Sequence, residues 1–261
     1  MPAIVARLRA AGCVFAEDEA RLLIATARTA ADLASMVDRR AAGLPLEHVL
    51  GWAEFCGLRV VVGPGVFVPR RRSEFLVSQA VAAVTSAAGT VAQPVVLDLC
   101  CGCGAVGLAV ATALGGADLH AADIDPGATA YARRNLAAIG GHVHEGDLYD
   151  PLPPDLRGRV DVLVVNAPYV PAGEIGLMPP EARLHEPLVA LDGGSDGVDV
   201  HRRVSAQALE WLAPGGSLLI ETSDRQAELT KAAMAGVGLT TSVAGDENLD
   251  ATVIIGRAEP H

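Results

Sequence analysis

The run Val160-Asp161-Val162-Leu163-Val164-Val165 leaves few choices for the fold: five of its six residues are apolar, with Gly158 just before it and Pro168 soon after. It is too short for a buried helix and lacks the alternation of a strand with one wet face, so it reads as a parallel strand covered on both sides. Parallel strands need crossover segments, and the text around this run supplies them. Apolar strand patterns at 95–99, 119–123, 142–144, 217–221, 239–243 and 251–255 alternate with helical patterns at 105–114, 126–138, 200–212 and 224–234. Repeated βα units of this kind predict an α/β domain with a mostly parallel sheet and helices on both faces.

Residues 1–55 read as a small N-terminal helical domain, with Glu17, Asp18 and Glu19 as an acidic first turn ahead of Ala20, Leu22, Leu23 and Ile24. Residues 56–72 are expected to form a linking β-hairpin, with Val60 and Val62 before Gly63-Pro64-Gly65 and Val66 and Val68 after it. The main domain then spans 73–261, opening on a helix over 73–86 capped by Ser73, followed by a loop at 89–94. Between Val170 and Asp199 the density of Pro171, Pro179, Pro180, Pro187, Gly193, Gly194 and Gly197 predicts a long loop without a helix. Loops of that length are usually functional, and this one is expected to wall the substrate site.

Composition narrows the class. Of 261 residues 51% are hydrophobic, enough for a core, yet Gly, Asp or Arg interrupts every apolar stretch before the roughly 18 residues a membrane-spanning helix needs. The first apolar residues are interleaved with Arg7, Arg9 and Glu17, which argues against a signal peptide and for a cytoplasmic protein. Five cysteines suit a reducing compartment. Cys100, Cys101 and Cys103 are too crowded in one turn to chelate together, and no second Cys/His pair stands at zinc spacing, so no metal is expected. The net charge of −11 disfavours general nucleic-acid binding, while leaving room for a local patch such as Arg70-Arg71-Arg72.

Two stretches carry chemistry. The first runs from Val95 through Asp98, Cys100, Gly102 and Gly104: a strand, a tight turn and a helix start on which a nucleotide can rest, with Gly102 and Gly104 letting a ligand approach the backbone. Asp123 ends the next strand, where a carboxylate grips ribose hydroxyls. Such a site could serve NAD or S-adenosylmethionine. Cys100 occupies the place of a first glycine, which breaks the pyrophosphate spacing, and the Asp98 carboxylate suits a ligand carrying an amino group and a sulfonium; both favour S-adenosylmethionine. Gly146-Asp147-Leu148 would hold the adenine, with a carboxylate for its exocyclic amine and an apolar side chain for its face.

The second stretch is Asn166-Ala167-Pro168-Tyr169. Alone it reads more readily as a strand-ending turn, since Asn and Pro are ordinary turn formers. Pro168 holds Ala167 extended, which sets the Ala167 carbonyl beside the Asn166 carboxamide and the Tyr169 ring as a small group of acceptors next to an aromatic face. A planar NH2 fits there.

Taken together, Asp98-Leu99-x-x-Gly102-x-Gly104, Ala122-Asp123-Ile124-Asp125, Gly146-Asp147-Leu148, Asn166-x-Pro168-Tyr169, His185-Glu186-Pro187 and the later Ala190-Leu191-Asp192-Gly193-Gly194 make a chain that resembles the protein glutamine-nitrogen methyltransferases. Val68-Pro69-Arg70 with Ser73-Glu74 and the late Gly256-Arg257 are similar too. The resemblance implies a class I methyltransferase (Rossmann-like) fold with a seven-stranded sheet, S-adenosylmethionine as cofactor, and a glutamine of a release factor or ribosomal protein as substrate. It places Asp98, Cys100, Gly102, Gly104, Asp123, Ile124, Asp147, Leu148 and Asn166 on the cofactor and Asn166, Ala167, Pro168 and Tyr169 on the amide. The chain departs from the family pattern in Ala167, Cys100 and Arg71-Arg72, and its helical domain is short. Alternatives to a protein glutamine are a nucleobase amino group held at the same tip after base flipping, or a small molecule.

Overall fold

The computed structural model describes residues 1–86 and 93–260, so most of the loop expected at 89–94 lies outside the described residues. Four helices open the chain: α1 (Pro2–Ala10), α2 (Ala16–Thr26), α3 (Ala30–Ala41) and α4 (Leu46–Leu50). They enclose their own apolar cluster around Leu8, Ala20, Leu23, Met36 and Val37. Glu17, Asp18 and Glu19 do stand in the first turn of α2, but Glu19 is buried. It receives a forked pair of hydrogen bonds from Arg40 at 2.6 and 3.0 Å. The same guanidinium reaches the Leu44 carbonyl at 2.9 Å and Glu181 at 3.3 Å, tying the helical region to the far side of the molecule.

A hairpin follows, but not where the valines suggested. β1 (Trp52–Phe55) pairs antiparallel with β2 (Leu58–Val61), closing at Cys56 and Gly57. Both turn residues have positive φ, 49° and 72°, the mirror-image turn that matches strand twist. Gly63-Pro64-Gly65 closes no pair. Val62, Val66 and Val68 are nonetheless buried, so their alternation records burial against the main domain.

The main sheet contains β3 (Val95–Leu99), β4 (Asp118–Asp123), β5 (His142–Glu145), β6 (Val160–Val165), β7 (Leu212–Thr222), β8 (Thr240–Asp246) and β9 (Ala251–Arg257) in the order β5-β4-β3-β6-β7-β9-β8. Every pairing from β5 to β7 is parallel, and β9 runs antiparallel to both of its neighbours. α5 (Glu74–Thr85), α6 (Ala105–Ala113) and α7 (Pro126–Leu136) cover one face, against Val96, Val162, Val164 and Leu219. α9 (Asp199–Trp211) and α10 (Ala227–Gly236) cover the other, against Leu97, Leu99, Leu163 and Ile220. The period of two along each strand assigns successive side chains to opposite cores, which is why β3 and β6 read as continuous apolar runs. Among the described residues no helix is long and apolar enough to cross a membrane.

The stretch expected to be loop from Val170 to Asp199 holds α8 (Pro180–His185) between two 3-10 segments. The prolines that argued against a helix start this one. Pro180 stands in its first turn, where the missing N–H costs nothing and φ is already helical.

Arg40 is the most exposed weakness of the helical region. Arg40→Met leaves Glu19 buried and unpaired and should destabilise the protein by about 3–5 kcal/mol in urea unfolding, whereas Glu19→Leu with Arg40→Met should recover most of that loss.

Candidate active site

β3, β4 and β5 run to one side of β3 and the chain then returns to lay β6 on the other, so the sheet has its switch point between β3 and β6. Ligands in open α/β sheets bind outside the carboxyl ends of strands at such a point. A cavity of about 850 Å³ lies there, lined by the residues that follow β3, β4, β5 and β6 and by the loop after Tyr169.

The turn after β3 is held by the end of β4. The Cys101 N–H donates to the Ala122 carbonyl at 3.1 Å, and the Gly102 N–H to Asp123 Oδ2 at 2.8 Å. Asp123 Oδ1 accepts from the Asp125 N–H at 2.9 Å. Cys100 adopts φ +57°, the left-handed region where a glycine is at ease and a side chain costs roughly 1–2 kcal/mol. Gly102, at φ +55°, has open space where a Cβ would stand. Gly104 departs from its expected role: it does not line the cavity, and a Cβ there would press on Ala132 and Leu136 at 3.3 Å. Its bareness serves the packing of α7 against the turn.

Asp98 is buried beneath this turn and accepts from the Gly107 N–H at 2.8 Å. Burial pushes its pKa up to about 7; the Gly107 hydrogen bond opposes this and the Asp123 charge adds to it. Ile124, Asp147 and Leu148 line the same cavity. Asp147 Oδ2 receives 2.6 Å from Arg203 on α9, a partner that nothing in the local sequence announces.

At the end of β6, Asn166 Nδ2 donates to Ser73 Oγ at 3.0 Å. Ser73 therefore does not cap its helix; it orients the Asn166 carboxamide, whose Oδ1 has no partner among the described residues. Close to Ser73 lies Glu221, a buried carboxylate at the end of β7. Burial raises the Glu221 pKa, while Ser73, Arg72 and the Tyr169 hydroxyl hold it back. Tyr169 Oη donates to Glu221 Oε1 at 3.4 Å, and its own pKa is pushed up to about 12, first by burial and then by Glu221, so it stays a neutral donor.

The long loop locks the tip. Gln226 Nε2 donates to the Tyr169 carbonyl at 2.7 Å and to the Asp196 carbonyl at 3.0 Å. A Cβ on Gly193 would lie 2.7 Å from Tyr169 Cα, and one on Gly197 would lie 2.4 Å from the Tyr169 carbonyl oxygen, so only glycine lets the loop lie this close. Glu186 accepts from the Val68 N–H at 3.2 Å and from Arg70 at 2.5 Å, fixing the irregular segment that leads to Ser73.

Asp98, Cys100, Gly102, Asp123, Ile124, Asp147, Leu148, Asn166, Ala167, Pro168 and Tyr169 thus face one cavity, and of the candidates Gly104 alone does not. Ser73, Arg203, Glu221 and Gln226 went unassigned. Glu221 had a readable signal, a carboxylate ending an apolar strand; Gln226 had none.

A buried carboxyl with a raised pKa makes the folded chain bind protons more tightly than the unfolded one. Stability from Asp98 is therefore greatest near pH 4 and is lost as pH rises through about 7. Asp98→Asn, which keeps the acceptor for Gly107, should remove that slope and be more stable than the parent at pH 8 by up to about 4 kcal/mol, read from urea unfolding across pH.

A family model described as the methyltransferase small domain matches residues 58–178. The release factor glutamine methyltransferase of Geobacter sulfurreducens is 41% identical over 195 residues, covering 74% of this chain and 66% of that protein. That of Mycolicibacterium smegmatis is 39% identical over 215 residues, covering 82% and 74%, and that of Bifidobacterium longum 32% over 274 residues, covering 92% of each. Among solved structures, a methyltransferase from Pyrococcus furiosus superposes with a TM-score of 0.57 at 17% identity, over 78% of this chain and 90% of that one. The 16S rRNA N2 G1207 methyltransferase of T. thermophilus, solved with AdoMet and guanosine, gives 0.54 at 18% over 80% and 50%. These two share the fold, a class I methyltransferase sheet. At the identity and coverage found with its relatives, the chain belongs to the release factor glutamine methyltransferase family.

Proposed function

We propose that the protein transfers a methyl group from S-adenosylmethionine to the side-chain amide nitrogen of a glutamine in a release factor, in the cytoplasm. The observation that carries this reading is the Asn166 carboxamide, held by Ser73 through its NH2 so that its oxygen is left to accept.

The cavity suits this cofactor chemically. Asp98, Asp123 and Asp147 supply carboxylates for an amino group, ribose hydroxyls and the adenine amine, and Leu148 an apolar surface for the ring. A pyrophosphate would meet Asp98 and Asp123 with no cation on the Gly102 turn, which speaks against NAD. When bound, S-adenosylmethionine supplies an electrophilic methyl on a positively charged sulfur.

The chain's own task is to hold a poor nucleophile in line. An amide nitrogen has a delocalised lone pair, and no strong base is needed before transfer if its hydrogens are already engaged. Asn166 Oδ1 and the Ala167 carbonyl are the acceptors for those hydrogens, Pro168 keeps the carbonyl rigid, and Tyr169 packs beside the planar group. Orientation of this kind supplies on the order of 7–11 kcal/mol. Ser73 acts one step back, accepting from the Asn166 NH2 so that the carboxamide oxygen faces the substrate, and Glu221 holds the Tyr169 hydroxyl.

In this reading the helical domain ends with α4 at Leu50, earlier than the expected residue 55 because β1 already begins at Trp52; the β1–β2 hairpin and the segment to 72 are the linker, and 73–261 the methyltransferase domain, with the loop after Tyr169 walling the substrate. An acidic enzyme of net charge −11 associates faster with a basic protein partner.

Asn166→Ala should keep cofactor affinity and lose most turnover, while Ala167→Pro should be tolerated because the carbonyl survives. Asp123→Ala should weaken cofactor binding by roughly 1.5–3 kcal/mol in calorimetry. Incubation with labelled cofactor and purified release factor, followed by mass spectrometric mapping, should place the methyl on a glutamine; label on a nucleobase or a metabolite would overturn the reading, and label on another protein's glutamine would overturn the release-factor assignment alone.

A further inference from the structure

The open edge of the sheet carries an unusual group of side chains, none of which lines the cavity. Along β4, Asp118, His120 and Ala122 point to one face, and along β5, His142 and His144 point to the same face. The register sets His120 beside His142 and Ala122 beside His144. His120 is buried and stacked between the two other imidazoles, with ring centroids 4.8 and 5.3 Å away. His120 Nε2 lies 3.2 Å from Asp118 Oδ1, and His120 Nδ1 lies 3.0 Å from His144 Nε2.

We propose that Asp118, His120 and His142 form a binding site for a divalent transition-metal cation of the zinc type, with His144 as the residue that orients His120. One ligand atom from each of the three lies within 4.8 Å of the others. Tetrahedral zinc with bonds of about 2.0–2.1 Å places its ligand atoms roughly 3.4 Å apart, a spacing that the Asp118–His120 pair already has. His142 is exposed, so its ring can turn to complete the set.

Metal-bound histidines donate their second ring N–H to a fixed acceptor, and His144 Nε2 stands in that place for His120. Without a cation, the same contacts are satisfied by His144 donating to His120 Nδ1 and His120 Nε2 donating to Asp118. Binding moves the His120 proton from Nε2 to Nδ1 and the His144 proton from Nε2 to its own Nδ1, so that His120 now donates to His144, Nε2 of His120 is free for the cation, and neither imidazole changes its charge. The Asp118 carboxylate, with Asp155 close by, offsets the charge of the cation.

The consequence for the molecule is a clamp. β5 is the outermost strand, only four residues long and largely exposed, and it leads directly into Gly146, Asp147 and Leu148. A cation shared by β4 and β5 would pin that edge.

The test is titration of the untagged full-length chain with zinc, and with cobalt as a spectroscopic probe. One equivalent should bind, with visible bands of nitrogen and oxygen ligation and no thiolate charge-transfer band. Loss of an orienting partner costs about 10- to 100-fold in metal affinity, so His144→Ala should weaken binding in that range and His142→Ala and Asp118→Asn should weaken it further. His142 is exposed, so His142→Ala is expected to fold, which circular dichroism checks. A thiolate band, the absence of saturable binding, or unchanged affinity in His142→Ala would each overturn the proposal. None of these outcomes depends on the methyl acceptor.

Discussion

Everything at the candidate site depends on the parallel pairing of β3 with β6. Val96 lies beside Val162, Asp98 beside Val164 and Leu99 beside Val165, all but fully buried. This pairing is the seam at which the strand order reverses, and it sets the Cys100–Gly102 turn next to the Asn166–Tyr169 tip. Cavity-lining residues separated by more than sixty positions become neighbours because two apolar strands pair to hide both faces.

The chemistry at that seam is dominated by carboxylates. Asp98, Asp123 and Asp147 face the cavity, Glu221 lies beneath the tip, and burial raises the pKa of Asp98, Asp123 and Glu221. An apolar, acidic cavity of this kind favours a ligand with positive charge and hydrogen-bond donors over one with phosphates. Arg203 and Arg70 are each already engaged, with Asp147 and Glu186 respectively, so they position carboxylates at least as much as they attract anions.

The tip itself is held by residues from every part of the chain. Ser73 comes from the segment before α5, Glu221 from the end of β7, Gln226 from the turn before α10, and Gly193 and Gly197 from the long loop. Each contact fixes a different atom: the Asn166 NH2, the Tyr169 hydroxyl, the Tyr169 carbonyl and the Tyr169 backbone. Rigidity of this sort is what an enzyme needs when it works by orientation and offers no strong base. The edge of the sheet is a separate matter, since no residue of β5 is fully buried.

By itself the sequence determined most elements of the main sheet and the turn after β3. The period of two in β3 and β6, the βα alternation, Gly102 beside a strand end and Asp123 about twenty positions on are local patterns, and local patterns carry their own physics. Tertiary structure decided the rest. Whether Gly104 faces a ligand or α7, whether Ser73 caps a helix or holds Asn166, and whether Val62 pairs with Val66 or packs on the core all turn on which distant residue arrives alongside. Pro180 begins a helix where its density of neighbours suggested none, because a proline's effect depends on its place in the turn. Glu19 and Arg40 look like surface charges in the text and become a buried pair only when α2 and α3 pack. Long-range partners of this kind leave no periodic trace in a single chain.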